Sequence, residues 1–236
     1  MLIDLHAHSS GISRCCRIPA PEVLAQARET GLDGIVLTNH YEKNYVTDGD
    51  AAAFARRYVE EYRHARACGE QMGMKVFFGI EVNMAQLPGV HMLVYGVGEE
   101  FVSLHPTIYD YSQAELYRAV KAAGGALVQG HPFRGGERLQ DVKLLDGVEV
   151  NCHPLYGDTH SGRILDIAAQ NGLIVTCGGD YHADTYRPDC GTYLPDDTTD
   201  GIAIGRFLLS TDAITLHIQE INAPKAHDHT FRRTEK

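Results

Sequence analysis

The chain begins MLIDLHAHSS (1–10), a short strand-like start that runs into two histidines, His6 and His8. Side chains at i and i+2 of a strand share a face, so a strand ending His-x-His aims two imidazoles at one point. A buried strand has no need of them, and side by side they repel once protonated. A metal ion resolves that conflict.

Working outward, six more apolar segments each run into polar residues: GIVLTN (34–39), KVFFGI (75–80), MLVYGV (92–97), ALVQG (126–130), GVEVN (147–151) and LIVTCGG (173–179). Near-continuous apolar runs suit strands buried on both faces of a parallel sheet. Helical patterns lie between most of them. Residues 20–31 carry Pro21 in the first turn and stop at Gly31; 50–72 are amphipathic; 112–125 open with Ser112 and Glu115 at capping-box spacing. Residues 160–172 and 200–210 are further helix candidates. Strand alternating with helix predicts an α/β fold, and 236 residues suit a single barrel-sized domain over 1–221. One connection is too short for a helical crossover: Glu81 and His91 are ten positions apart with Pro88-Gly89 between them, which predicts a hairpin return placing His91 beside Glu81. The polar, aperiodic tail 222–236 is expected to be loosely held.

The metal-competent residues fall at one end of this map. His6 and His8 close the first strand, His40 follows the second, Glu81 the third, and His91 opens the fourth. His131 and Arg134 follow the fifth, Glu149, Asn151 and His153 surround the end of the sixth, and Asp180 and His182 follow the seventh. The C-terminal edge of a parallel α/β sheet is where ligands bind. Imidazoles with a few carboxylates suit zinc, iron or manganese, and the number of candidates predicts two or three divalent ions sharing a carboxylate. The plain alternative, a set of structural polar residues, needs a partner for every buried charge.

Composition narrows the field. The net charge of −10 argues against a surface that coats nucleic acid, while bound cations would still admit an anionic small substrate. Six cysteines without a regular framework read as reduced thiols, the Cys15–Cys16 pair among them as inert. There is no membrane-length apolar run and no signal-peptide pattern, so a cytoplasmic location is expected. Neither GxxxxGKS nor GxSxG occurs, which removes P-loop and serine-hydrolase chemistry.

The pieces DLHAHS (4–9), TNH (38–40), GIE (79–81), HMLVYG (91–96), GHP (130–132) and GGDYH (178–182) resemble, in order, the polymerase-and-histidinol-phosphatase (PHP) family of metal-dependent phosphoesterases. That resemblance spans residues 1 to about 192. It implies a distorted (β/α)7 barrel, with one ion on His6, His8, Glu81 and Asp180. A second would sit on Glu81, His91 and His131, and a third would use His40 and His182. Trinuclear members carry another His or Asp a few residues past the first pair, where this chain reads SSGISRCCR (9–17). The third site is therefore weak, completed by water, Cys15 or Cys16, or displaced by Arg14.

The chemistry implied is hydrolysis of a phosphate ester of a small metabolite by a metal-bridging hydroxide. Arg134 is the expected bidentate phosphate contact, with Arg14 and Arg187 as secondary ones. Asp180, His153 or His182 would supply a proton to the leaving oxygen. Glu149 and Asn151 are read as structural, and His64, His105, His160, His217, His227 and His229 as incidental. Competing readings are a phosphodiesterase on nucleotides, C–N hydrolysis (disfavoured because no Lys stands among the motifs) and a non-catalytic metal-binding module. Oligomeric state does not follow from these residues.

Overall fold

The computed structural model describes residues 1–234. In chain order its elements are β1 (Leu2–Ala7), α1 (Ala20–Glu29), β2 (Gly34–Leu37), β3 (His40–Tyr41), α2 (Ala51–Met72), β4 (Lys75–Phe78), β5 (Ile80–Asn83), β6 (His91–Tyr95), α3 (Glu100–Leu104), α4 (Gln113–Ala122), β7 (Ala126–Gln129), β8 (Gly147–Asn151), α5 (Ser161–Asn171), β9 (Ile174–Gly178), β10 (Gly191–Tyr193), α6 (Gly201–Ser210), β11 (Ala213–Ile218) and β12 (His227–Arg232). Every helix expected from sequence forms. Asp50 caps α2 by accepting the Ala53 amide, and Gly73 ends it at φ 70°. The Ser112–Glu115 capping box opens α4. The five-residue α3 was too short to show a period.

The strands make a mixed α/β structure of two six-stranded sheets, ordered β12-β11-β10-β1-β2-β4 and β3-β5-β6-β7-β8-β9. Two chain segments pass from one sheet into the other: β2 resumes as β3 after Asn39, and β4 resumes as β5 after Gly79. Gly79 is required there, since a Cβ would lie 2.5 Å from Val36 and 2.8 Å from Thr38. At the opposite side β9 closes on β1. The Asp180 amide donates to the His6 carbonyl at 2.8 Å, and Ala7 bridges Tyr181 in parallel. Gly178 makes this approach possible, as a Cβ there would stand 2.5 Å from that of His6.

β1 shows how the site is supported. Ile3, Leu5 and Ala7 are fully buried on one face, and Asp4, His6 and His8 are buried on the other. Each fully buried aliphatic side chain contributes about 1.5–3 kcal/mol, which offsets the cost of burying so many polar groups. The hairpin return is as expected: β5 and β6 pair antiparallel, with Asn83 opposite His91. β6 is antiparallel to β7 as well, so the second sheet is mixed.

Two expectations need correction. The described residues form twelve strands rather than seven, because two segments are interrupted and β10–β12 were not foreseen. The 222–236 tail is not loose throughout: residues 227–232 pair with β11 over six antiparallel positions and bury Phe231. An edge strand needs only one inward apolar residue, so HDHTFR showed no strand pattern. Among the described residues, no helix is long and apolar enough to cross a membrane.

Candidate metal centre

Glu81 is the hub. β5 carries it fully buried, and five imidazoles surround it. Oε1 lies 3.2 Å from His6 Nε2, 2.9 Å from His91 Nδ1 and 3.1 Å from His131 Nε2. Oε2 lies 2.5 Å from His40 Nδ1 and 3.5 Å from His8 Nε2. Asp180, just past β9, is the second acid. Its Oδ1 is 2.9 Å from His8 Nε2, 3.3 Å from His6 Nε2 and 3.6 Å from His182 Nδ1. All eight ligand candidates named from sequence therefore converge on one place, although they come from six separate stretches of chain.

Four of the six rings are oriented from behind. Glu149 Oε1 accepts from His6 Nδ1 at 2.8 Å, leaving Nε2 as the lone-pair nitrogen that faces the acids. The same Glu149 fixes its neighbours, with Oε2 accepting from the His131 amide at 2.9 Å and from Asn151 Nδ2 at 3.1 Å. Asn39 Oδ1 takes the Ser9 amide and the Ser13 hydroxyl proton, so Ser13 Oγ accepts from His8 Nδ1 at 3.1 Å and frees His8 Nε2. Glu137 Oε2, 3.1 Å from His131 Nδ1, does the same for that ring, and the Asp180 carbonyl takes His182 Nδ1–H at 2.6 Å. Glu149, read from sequence as structural, is a positioning residue. Ser13, Asn39 and Glu137 were missed, because nothing in the local pattern marks a residue that acts through another.

The close pairs are not all hydrogen bonds. His6 Nε2, His40 Nδ1 and Glu81 Oε2 are buried without a hydrogen-bond partner, despite the short separations given above. Atoms that crowd one another without lining up as donor and acceptor point toward a shared centre. Left as they are, such groups cost about 1–3 kcal/mol each; a cation supplies the missing partner. His6, His8, Glu81 and Asp180 form one set whose ligand atoms all lie within 4.8 Å of one another, His40, Glu81 and His91 a second, and His8, His40 and His182 a third. The donor set fits divalent metal.

The electrostatics agree. Burial alone would lower the His6 pKa, but Glu149, Asp180 and Glu81 outweigh it and hold it well above 6.5. Burial also opposes the upward shifts of His40, His131 and His182, which Glu81, Glu137 and Cys15 respectively help to drive. For His8, burial and the neighbouring His182 and His40 push the pKa well below 6.5. Glu81 and Asp180 run against their own burial and lie well below the usual carboxylate range, pulled down chiefly by His40 and His6 respectively. Perturbation of this density marks functional sites. Burial lowers the His153 pKa. Burial raises the Cys15 thiol, but the nearby His182 and His40 imidazoles prevail and bring it to about 6.

Two backbone positions in the site are strained: His131 at φ 30° and Asp180 at φ 49° are left-handed without being glycine. The remaining candidates divide. Arg134 reaches Asp180 Oδ2 through Nη1 and lies 4.1 Å over the Tyr156 ring, beside a recess lined by His131, Asn151 and His160. Arg14 is stacked on Tyr45 at 4.8 Å. Arg187 is buried on Asp4 at 2.7 Å and is not brought to the cluster. His153 is buried at the edge, 3.3 Å from Asp184, with its Nδ1 capping a turn at Leu155. A cleft between α2, α3 and α6 shares no residue with the cluster.

No protein-family model matches the chain, and no curated protein matches it. Solved structures do. A chain from Bifidobacterium adolescentis, provisionally named a metal-dependent phosphoesterase, is 20% identical with a TM-score of 0.55, covering 88% of this chain and 95% of that one. PsfC from Pseudomonas syringae is 18% identical, with a TM-score of 0.57 and coverage of 95% and 85%. An amidohydrolase from Chromobacterium violaceum, solved with bound sulfate and no metal, is 17% identical, with a TM-score of 0.56 and coverage of 83% and 93%. At these identities the likeness is one of fold: the chain is built like hydrolases that include a metal-dependent phosphoesterase and an amidohydrolase.

Proposed function

We propose that this chain is a PHP-type phosphoesterase, a distorted (β/α)7 barrel that hydrolyses a phosphate monoester of a small metabolite such as a nucleotide, a sugar or histidinol phosphate. The observation that carries this is the Glu81 carboxylate, buried among five imidazoles and backed by Asp180. The barrel reading draws on the seven segments β1, β2/β3, β4/β5, β6, β7, β8 and β9, each adjacent to the next, with β9 returning to β1.

His6, His8, Glu81 and Asp180 would hold one ion, Glu81, His91 and His131 a second, and His40 with His182 a third. Bound divalent ions supply Lewis acidity, lowering the pKa of water to about 7 and neutralising phosphoryl charge. The chain's own part is orientation and charge. Glu149, Ser13 and Glu137 fix which ring nitrogens are free, and Arg134 at the rim offers guanidinium donors to the non-bridging phosphate oxygens. Tyr156, against Arg134, limits where that guanidinium can go. Six unpaired thiols suit a reducing cytoplasm.

The test is a screen of phosphorylated metabolites with protein reconstituted in manganese and in zinc, run against a phosphodiester and an amide substrate in parallel. Turnover of a monoester above both others is the expected result. Preference for the diester or the amide would replace the proposal, the amide arm being included because one structural neighbour is an amidohydrolase. No turnover with ions bound would leave a binding module.

A further inference from the structure

Three of the six cysteines meet at a place the imidazole cluster does not use. Cys152 follows β8, Cys177 lies in β9 and Cys190 stands just before β10. All are buried, none more than 1% exposed. Cys177 is the register partner of Val150, and Thr176 that of Glu149. The Cys152 amide carries the ladder one step further, to the Gly178 carbonyl at 3.0 Å. Cys152 and Cys177 therefore lie on the sheet face turned away from Glu149 and the imidazoles. β10 and β11 cover that face: the Cys177 amide donates to Thr192 Oγ1 at 2.9 Å, and Cys177 Sγ lies 3.3 Å from the His217 carbonyl. Cys152 Sγ and Cys177 Sγ are 3.6 Å apart, and Cys190 Sγ is within 4.8 Å of both.

Buried free thiols pack as small hydrophobes, which explains one such residue but not the convergence of three from separate segments. The spacing decides between two fates for the group. A disulfide needs about 2.05 Å between sulfurs, so Cys152 and Cys177 would have to close by about 1.5 Å, with Cys190 left over. Sulfurs bound to one ion at about 2.3 Å stand about 4 Å from each other, which these three meet with shifts below about 1 Å. Uncommitted positive charge lies nearby. A Cβ on Gly179 would stand 3.5 Å from Cys190 Sγ and 3.1 Å from Asp4 Oδ2, the atom that accepts from Arg187 Nη2 at 2.7 Å. The Arg187 side chain is buried, and its Nε and Nη1 have no hydrogen-bond partner. We propose that Cys152, Cys177 and Cys190 form a separate, all-sulfur metal site that takes the thiophilic monovalent ion copper(I). Soft thiolates select such an ion over manganese or magnesium, and three donors fall short of the four that structural zinc takes. Each thiol that becomes a thiolate ligand releases its proton to solvent as the sulfur–copper bond forms, with no change in oxidation state. The ion ties β8, β9 and the approach to β10 together three residues before Asp180, and so stabilises the fold without entering the imidazole cluster. The proposal rests neither on the substrate nor on the filling of that cluster.

The experiment adds one equivalent of copper(I), as its acetonitrile complex and without oxygen, to the reduced full chain already loaded with manganese, which does not compete for thiolates. X-ray absorption counts the sulfur neighbours of copper, and a copper(I) chelator reads its retention. Wild type, and a variant carrying Cys15→Ser, Cys16→Ser and Cys68→Ser together, should each keep one copper among three sulfurs and melt at a higher temperature than without it. Adding Cys190→Ala to that variant should remove the three-sulfur shell and release the copper to the chelator, with far-ultraviolet circular dichroism unchanged. Copper with nitrogen neighbours in place of sulfur, a sulfur shell that vanishes with the other three cysteines, or retention indifferent to Cys190→Ala would each overturn the proposal. So would zinc displacing copper(I) from the same sulfurs. Should the Cys190→Ala chain fail to fold, the sulfur count in the triple variant decides, since no cysteine outside the group remains there. Failure of every hydrolysis assay would remove the hydrolase reading and leave this one standing.

Discussion

Two acids lie equally deep in this molecule and are satisfied in opposite ways. Asp4 sits two residues before His6 on β1. Its Oδ1 accepts the amides of His6 and Gly179, at 3.0 and 2.9 Å, and its Oδ2 takes the Arg187 guanidinium. None of those donors can give up its proton near neutrality. Glu81 is ringed by imidazoles, a side-chain type that exchanges its proton far more readily than an amide or a guanidinium. Burial raises the Asp4 carboxyl even against Arg187 and the two amides, whereas the imidazoles hold Glu81 well below its usual value. A buried acid with permanent donors serves as structure. One with exchangeable protons is a place where a different cation can enter.

The largest expected effect breaks the exchangeable side. Glu81→Gln should lower the proposed phosphoesterase activity by more than about 10³-fold, as the loss of central electrostatic stabilisation does elsewhere. Elemental analysis should show the bound ions lost with it; a variant that keeps its ions would erase the contrast with Asp4. Next comes the permanent side. Asp4→Ala leaves Arg187 buried and unpaired and should cost about 3–5 kcal/mol in denaturant unfolding, while the folded fraction binds as many ions as wild type. Unchanged stability would mean that Asp4 is not the plug described.

A subtler change lies behind the site. Glu149→Gln weakens the acceptor on His6 Nδ1 and should reduce metal affinity about 10–100-fold in a chelator competition, with little change in unfolding. The smallest effect is on pH dependence. The pKa values of His6, His40, His131 and His182 are raised above 6.5, so their support of the metal-free fold is complete below 6.5 and fades as pH rises through the raised values. His8, with a lowered pKa, opposes them. Glu81 and Asp180 contribute above the ordinary carboxylate range and lose that contribution as pH falls through their lowered values. Added zinc needs the rings deprotonated, so it should raise the melting temperature more at pH 8 than at pH 6, by a few degrees at about 2–4 °C per kcal/mol. An equal rise at both values would deny that protons and metal compete.

Residues that bring candidate ligand atoms to the cluster were legible in the sequence, and residues that hold those side chains in place were not. His-x-His at the end of a strand, or Asp180 after an apolar run, advertises itself, because a polar group at that position needs a reason. Glu149 looked like packing since it sits inside a strand, and its role depends on His6, 143 positions away. The short Glu81–His91 return was readable from loop length alone. The β12 edge was not, because a strand wet on one side and at the rim carries little apolar signal.

The bridge from Ala7 to Tyr181, with the Asp180 amide on the His6 carbonyl, sets an order of events during synthesis. His6 and His8 are made well before Asp180 and the β10 partner of their strand, which follow some three-quarters of this sequence later. Until then the nascent protein holds two imidazoles and no carboxylate from that flank. Contacts so distant along the chain form late, so the set of His6, His8 and Asp180 is assembled only as the segment after β9 docks against β1.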